Sequence, residues 1–470
     1  MNNKKSAFST LEALMALAVI AIGLSCALLV VLGSQALVES SQLGGQALQD
    51  ARDLTESGEI NESFPGLRAV INFQDEDAYT RQVTGAASWQ ITGRPKATIG
   101  LDSLWVDWQD ALAANGCQIS PSGLAQSAIA SMDFSYGQVA AIHARGQELF
   151  VGLSATAAKT QPTFLVFSLA STTNPTLEGS LDNATTTTAG ISAIDVAGNY
   201  AYAASARAIS ASAGFGQLQI IDVSQPQTPR LTVTYKIPGV AGTSGQGIGS
   251  SIFYSGGFVY LGLTKTGSGP EFNVVDVHDV MHPEWVGGFS FGSTVNAIVV
   301  KWPYAYVAHP VGSGNAPQEQ LTILDVSNPA NILRVAGFRA NDSQGNGKSL
   351  FLQGNNLYFG RTVTNTGNPE FAVFDVSSVS PATPTPLASL KISSSVNSLM
   401  AWGPTLLALT NSQLLMFDVS GLPSLPELSP ALPLPPGAAG GALACSGGTV
   451  YAAGASASSG FLLLIAAGGN

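Results

Sequence analysis

A hydrophobic strand that ends in Asp-Val-Ser, or a close relative of it, returns again and again between about residue 130 and the end of the chain. It reads Leu218-Gln-Ile-Ile-Asp222-Val-Ser, Phe272-Asn-Val-Val-Asp276-Val-His and Leu321-Thr-Ile-Leu-Asp325-Val-Ser, then Phe371-Ala-Val-Phe-Asp375-Val-Ser and Leu414-Leu-Met-Phe-Asp418-Val-Ser. Weaker copies stand at Phe164-Leu-Val-Phe-Ser168 and Phe461-Leu-Leu-Leu-Ile465, which makes seven. Self-similarity at a period near fifty is the mark of a repeat architecture, because one unit cannot bury its apolar faces alone and must stack on its neighbours.

The copies share an internal order. An apolar run such as Val295-Asn-Ala-Ile-Val-Val comes first, followed by a turn and a Tyr-x-Tyr strand such as Tyr304-Ala-Tyr306. The Asp-Val-Ser strand is third, and a last strand such as Arg334-Val-Ala-Gly-Phe follows a Pro. Four short strands in 40–50 residues point to a β-propeller, whose closed ring leaves only short edges. The final copy stops after its third strand, so its outer strand is expected from Ile129–Tyr136, just before copy one. That pairing would latch the ring shut. These copies resemble the LVIVD-repeat propellers, and the resemblance covers roughly 340 residues.

Composition narrows the function. Charged residues are 10%, apolar residues 45%, and the net charge is −11 with only 19 Lys and Arg. That balance argues against disorder and against a nucleic-acid-binding surface. Three cysteines exclude a disulfide framework. No nucleophile elbow, phosphate-binding loop, zinc-binding HExxH or carboxylate pair occurs, so the reading is not an enzyme and needs no cofactor or metal. His278 and His282 have a metal-like spacing but stand in a turn, and Asn341–Gly347 reads equally as a cation-binding turn or a flexible inter-blade loop. Asp222, Asp276, Asp325, Asp375 and Asp418 are read as structural acceptors for backbone N–H groups in the turn before the Pro, not as catalytic acids.

The N-terminus is of another kind. Lys4 and Lys5 precede an uncharged apolar stretch over 13–33, long enough to cross a bilayer, and no basic residue follows until Arg52. An acid, Glu12, stands at the start of that stretch, where an ionisable group is costly and marks function. Ala7-Phe8-Ser9-Thr10-Leu11-Glu12 resembles the signal of type IV pilins and pseudopilins. The resemblance implies cleavage between Ala7 and Phe8 by a prepilin peptidase, and filament assembly through Phe8 and Glu12. The residue before the cut is Gly in the family and Ala7 here. Leu43, Ala47, Leu48, Ala51 and Leu54 continue at helical spacing, so one long helix is expected over 8–57, with Gly58 as its stop.

Two β-rich runs follow, Tyr79–Thr92 and Ala97–Asp107, with the Asp75-Glu76-Asp77 triplet as a solvated turn. They loosely resemble the small sheet on a minor-pilin stem, and Trp89, Trp105 and Trp108 read as packing residues. Cys117 precedes the expected latch strand and Cys445 lies in the last copy; a disulfide between them would lock the closure.

The combined expectation is a mainly β chain: a prepilin leader over 1–7, a long N-terminal pilin-like α-helix over 8–57, a small β segment over 58–116, a linker over 117–127 and a seven-bladed β-propeller over 128–470. Its function is expected to be that of a minor pilin-like subunit that displays the propeller for binding or adhesion. It would sit in a bacterial inner membrane as precursor and at the cell surface in a filament. Its partners would be a prepilin peptidase, other pilin subunits and an unidentified surface, glycan or protein. The rivals are a single-span periplasmic propeller scaffold that never enters a filament, and an enzyme on the axial face of the propeller.

Overall fold

The third strand of each repeat must be covered on both faces, because it is apolar at consecutive positions. Ile220 and Ile221, one residue apart on a strand, enter two different buried clusters. The computed structural model shows how this is met. It describes residues 68–75, 80–89 and 97–106 and, apart from several connections between strands, residues 127–466. The chain divides into two compact units, Met1–Ala111 and Leu112–Asn470.

In the first unit, three strands form an antiparallel sheet in sequence order: β1 (Arg68–Asp75), β2 (Thr80–Trp89) and β3 (Ala97–Val106). Strands β2 and β3 fall on the two expected runs, with Thr80 opposite Val106 and Trp89 opposite Ala97. Strand β1 was not anticipated, and its last residue, Asp75, belongs to the triplet read as a turn.

The second unit holds seven four-stranded antiparallel sheets. Blades 1 to 6 span residues 139–181, 191–235, 249–289, 297–338, 347–390 and 396–433, and blade 7 takes 439–466. The outer strand of blade 7 is β4 (Ala130–Phe134), from the start of the propeller, which pairs with the last strand of the chain from Gly460↔Phe134 to Leu464↔Ala130. The first strand of each blade packs on the first strand of the next, and that of blade 7 on that of blade 1, so these strands form the inner wall of a closed ring. Seven hydrophobic clusters fill the spaces between adjacent blades, one per interface.

The fold class expected from sequence is corrected in one respect. The described residues are mainly β and contain no helix, because every described element is extended strand or turn. The segment 8–57, on which the long N-terminal helix was expected, lies outside them, as do Ala7, Phe8 and Glu12. Among the described residues, no helix is long and apolar enough to cross a membrane.

Candidate functional site

The two faces of the ring are built differently, and the difference starts in the turns. The first and second strands of each blade are joined by two residues, the first a glycine at φ between +51° and +59° in six blades. A side chain rarely adopts that conformation, which fits tight hairpins on a twisted sheet. Blade 4 uses Trp302 and the cis proline Pro303 instead.

The repeated Asp sits beside these hairpins, at the end of the third strand. Asp222, Asp276, Asp325, Asp375 and Asp418 each turn Oδ1 back to accept the backbone N–H two residues on, of Ser224, His278, Ser327, Ser377 and Ser420, at 2.8–2.9 Å. The Val between donates its own N–H to the hairpin of the same blade: Val223 to Asn199 O, Val277 to Gly257 O, Val326 to Pro303 O, Val376 to Asn355 O and Val419 to Pro404 O. One dipeptide therefore ties the two loops of this face together. The bonds to Ser224 hold the Asp222 carboxyl below its ordinary value, and those to Ser377 and Ser420 do the same for Asp375 and Asp418. For Asp276, burial raises the pKa, but the His278 N–H, ring and charge outweigh it. The turns of blades 2 and 4 also seat on the outer strand of the blade before: a Cβ at Gly179 would lie 2.1 Å from Pro226 O, and one at Gly287 2.0 Å from Pro329 O. This face is thus made of short, hydrogen-bonded turns.

The opposite face carries the long connections, from Leu153 to Phe164, Ser205 to Leu218 and Ala308 to Leu321 within blades, and from Leu181 to Ile191 and Tyr235 to Gly249 between them. Buried polar side chains just ahead of the third strand anchor it. Gln217 Oε1 accepts Ile237 N–H at 3.0 Å, and Gln320 Oε1 accepts Ala340 N–H at 3.0 Å. At the matching place in blade 3, Glu271 is 2% exposed; it accepts Phe291 N–H at 2.9 Å and Gly292 N–H at 3.0 Å on one oxygen, and Thr266 N–H and hydroxyl on the other. Glu370 of blade 5 accepts Ile392 and Ser393 N–H at 2.9 Å and pairs with Lys391. Burial pushes the Glu370 pKa up, but Lys391 and these two N–H groups bring it below its ordinary value. A connection hung on fixed buried acceptors can vary in sequence without loosening the ring, which is the usual arrangement for binding loops on a scaffold.

Side chains of the inner strands also stitch the blades. A bulge frees one residue near the start of most of these strands from the ladder. At this level Ser192 donates to Gly249 O, Ser250 to Val295 O, Asn296 to Gly347 O and Asn397 to Gly440 O; Ser349, next to the bulge, reaches Val396 O. Ala140 and Gly441 hold the same level in blades 1 and 7. Their interfaces are joined at the hairpin end instead, where Arg145 donates to Gly198 O and Ser446 to Gly146 O. Every interface thus has at least one side-chain donor on a neighbouring backbone carbonyl.

Midway down the wall, His143 of blade 1 and Asp195 of blade 2 face each other, Nδ1 to Oδ1 at 3.5 Å. Asp195 also accepts Tyr254 N–H at 2.7 Å and Val196 N–H at 2.9 Å. Burial pushes the Asp195 carboxyl up to about 7 despite those bonds. Burial, helped by the Arg145 charge, takes His143 down to about 4. A fully buried histidine, His309, lies between Pro310 O and Thr322 Oγ1, each at 2.7 Å, and packs on Phe291.

His278 and His282 are separate turn residues, each with Nδ1 held by its own acid: Asp276 at 2.8 Å and Asp279 at 2.9 Å. Among the described residues, no three His, Cys, Asp or Glu side chains gather to hold a metal. Cys445 is disulfide-bonded and 1% exposed; Cys117 lies outside the described residues. Sequence reading missed the buried anchors and the His143–Asp195 pair. The anchors had a legible signal, a Gln or Glu directly before the apolar strand at Gln217, Glu271, Gln320 and Glu370.

A family model described as LVIVD repeat matches residues 191–237 and 292–336, which are blade 2 and most of blade 4. The chain carries LVIVD repeats. No curated protein matches it. Similar solved structures include two of the extracellular domain of a B. thetaiotaomicron protein, described in one as a hybrid two-component system and in the other as a one-component system. One is 13% identical over 70% of this chain and 38% of that one, with a TM-score of 0.44; the other is 11% identical over 73% and 40%, at 0.46. The matched part is about two-fifths of those proteins' length. The N-terminal domain of Nup159 is 10% identical over 71% of this chain and 91% of that one, at 0.40.

Proposed function

We propose that the protein is a pilin-like subunit that carries its propeller as a binding head, with the ligand surface on the face of the long connections. The observation that carries the binding half is the asymmetry of the ring. One face is closed by two-residue hairpins and Asp-capped turns, while the other presents long connections hung on Gln217, Glu271, Gln320 and Glu370. The support for the filament half is the leader: Phe8 four residues ahead of Glu12, after a small residue and two lysines. On this reading a prepilin peptidase cuts before Phe8 in the inner membrane, and the freed amine meets the Glu12 carboxylate of a neighbouring subunit. The head then reaches the cell surface with the filament.

The test is the mature N-terminus of the protein in membrane and sheared-filament fractions, read by intact mass and N-terminal peptide analysis. A chain that starts at Phe8 in the sheared fraction is the expected result. A chain that starts at Met1 and stays with membranes overturns the filament half and leaves an anchored propeller. The binding half is tested with the purified full chain on arrays of glycans and surface proteins. Loop exchanges on the long-connection face should abolish a hit that hairpin-face exchanges leave intact.

A further inference from the structure

Cys445 lies on the innermost strand of blade 7, within the apolar cluster between blades 6 and 7, and it is disulfide-bonded. The chain has three cysteines, so the other half of the bond is Cys26 or Cys117. Cys117 belongs to the same compact unit as Cys445, and Cys26 does not. Ala128, eleven residues beyond Cys117, packs against the very cluster that holds Cys445. A groove lined by Ala128, Ile129, Leu432, Leu434 and Leu463 opens at that seam. Eleven residues span up to about 36 Å, well beyond the roughly 14 Å from the outer to the inner strand of a blade.

We propose that Cys117 is the partner of Cys445, and that the bond closes residues 117–445, with β4 and the first six blades, into one covalent loop that a pull on the chain ends cannot extend. The chemistry is that of thiol–disulfide exchange. Two thiols lose two protons and two electrons as one S–S bond forms, and a disulfide-carrying oxidant takes the electrons as its own S–S bond breaks to two thiols. The mechanical consequence follows from where β4 sits. Its ladder begins with Ile129 N–H on Leu464 O at 2.7 Å and runs to Phe134 opposite Gly460. Tension arriving from the N-terminal side would meet these pairs one at a time. With the bond in place, that tension passes from Cys117 to Cys445 and leaves β4 slack inside the closed loop. This holds whether or not the chain is cut before Phe8.

The experiment stretches the full chain in detergent between handles at its two ends, in an optical trap, with and without a thiol reductant. About 330 residues lie between the two cysteines, so at roughly 3.5 Å each the fully unfolded extension should grow by about 1,150 Å on reduction. The Cys117→Ser variant should give the long extension without reductant. Equal extensions before and after reduction overturn the proposal, and so does a short extension in Cys117→Ser. Should that variant not fold, non-reducing peptide mapping of the wild-type chain decides the matter: a Cys117–Cys445 peptide supports the proposal, and a Cys26–Cys445 peptide overturns it.

Discussion

Glu271 offers the sharpest test of how the loop face is held. Replacing it with alanine strips four hydrogen bonds from one buried carboxylate and leaves the Thr266, Phe291 and Gly292 N–H groups without their acceptor. Phe291 is fully buried and Thr266 nearly so, which keeps water from replacing the oxygen. A buried donor left unpaired costs about 1–3 kcal/mol. The carboxylate's own desolvation cost disappears at the same time, so the net loss for Glu271→Ala should be about 3 kcal/mol. Glu271→Gln should lose only about 1 kcal/mol, because one amide oxygen does this work at Gln217 and Gln320. Unfolding entropy for a propeller of about 340 residues is roughly 0.7 kcal/mol per degree, so the expected falls in Tm are about 4 °C and about 1–2 °C. Thermal and urea unfolding of the full chain, followed by tryptophan fluorescence and circular dichroism, read the Tm and the free energy of both variants. The damage should extend across the seam to blade 4, since Phe291 lies against His309 with ring centroids 4.4 Å apart. Equal losses for the two variants would refute the reasoning, because they would mean that the carboxylate's acceptor bonds do not set the loop.

Asp195 and His143 predict a pH signature. The folded-state pKa of Asp195, about 7, lies above its unfolded value, so its contribution to stability is full below about 4 and is lost as pH rises through 7. The folded-state pKa of His143, about 4, lies below its unfolded value, so its contribution grows as pH rises from 4 to about 6.5. The two oppose each other over most of that range. Asp195→Asn should therefore gain stability relative to wild type as pH rises from 4 to 8, in paired Tm measurements; a constant difference would count against the shift. Gly441→Ser should supply the missing rung between blades 7 and 1, since a Cβ there stands 3.6 Å from Val139 O with no closer neighbour. The expected gain is about 0.5–1.5 kcal/mol in urea, and a loss would mean that the serine finds no carbonyl.

The ring was legible in the sequence because its repeating unit is local. The Asp-Val-Ser tripeptide, the Tyr-x-Tyr strand and the glycine turns all lie within one period, and each leaves its mark in adjacent letters. The second tyrosine of the pair is buried between blades, as at Tyr202 and Tyr306, while the first, Tyr200 or Tyr304, is half-buried beside the hairpin. The outer strand of blade 7 could be found by its absence, and β4 pairs where the last copy runs out. What stayed hidden is non-local. His143 and Asp195 belong to different blades, and nothing in either neighbourhood names the other as its partner. The inter-blade donors are as opaque, since Ser192, Ser250 and Asn397 read as ordinary polar residues until the bulge turns them toward the next blade, and Asn296 does the same from just ahead of its strand.

These pieces bear on how such a ring resists opening. A propeller has one covalent weakness, the place where its first and last strands must meet. In this chain the interfaces on either side of blade 1 lack the rung at Ala140 and Gly441, so that region leans on Arg145 and Ser446 at the hairpin end. Next to the same region the chain supplies β4 as a hydrogen-bonded latch and places a disulfide-bonded cysteine on the inner strand of blade 7. The thinnest stitching, the strand exchange and the covalent bond thus gather on blades 7 and 1. If closure were shared evenly around the ring, removing Ser446 or Asn397 should weaken the protein alike. If it is concentrated where the chain ends meet, Ser446→Ala should release blade 1 in hydrogen exchange under reducing conditions, while Asn397→Ala leaves its own seam closed.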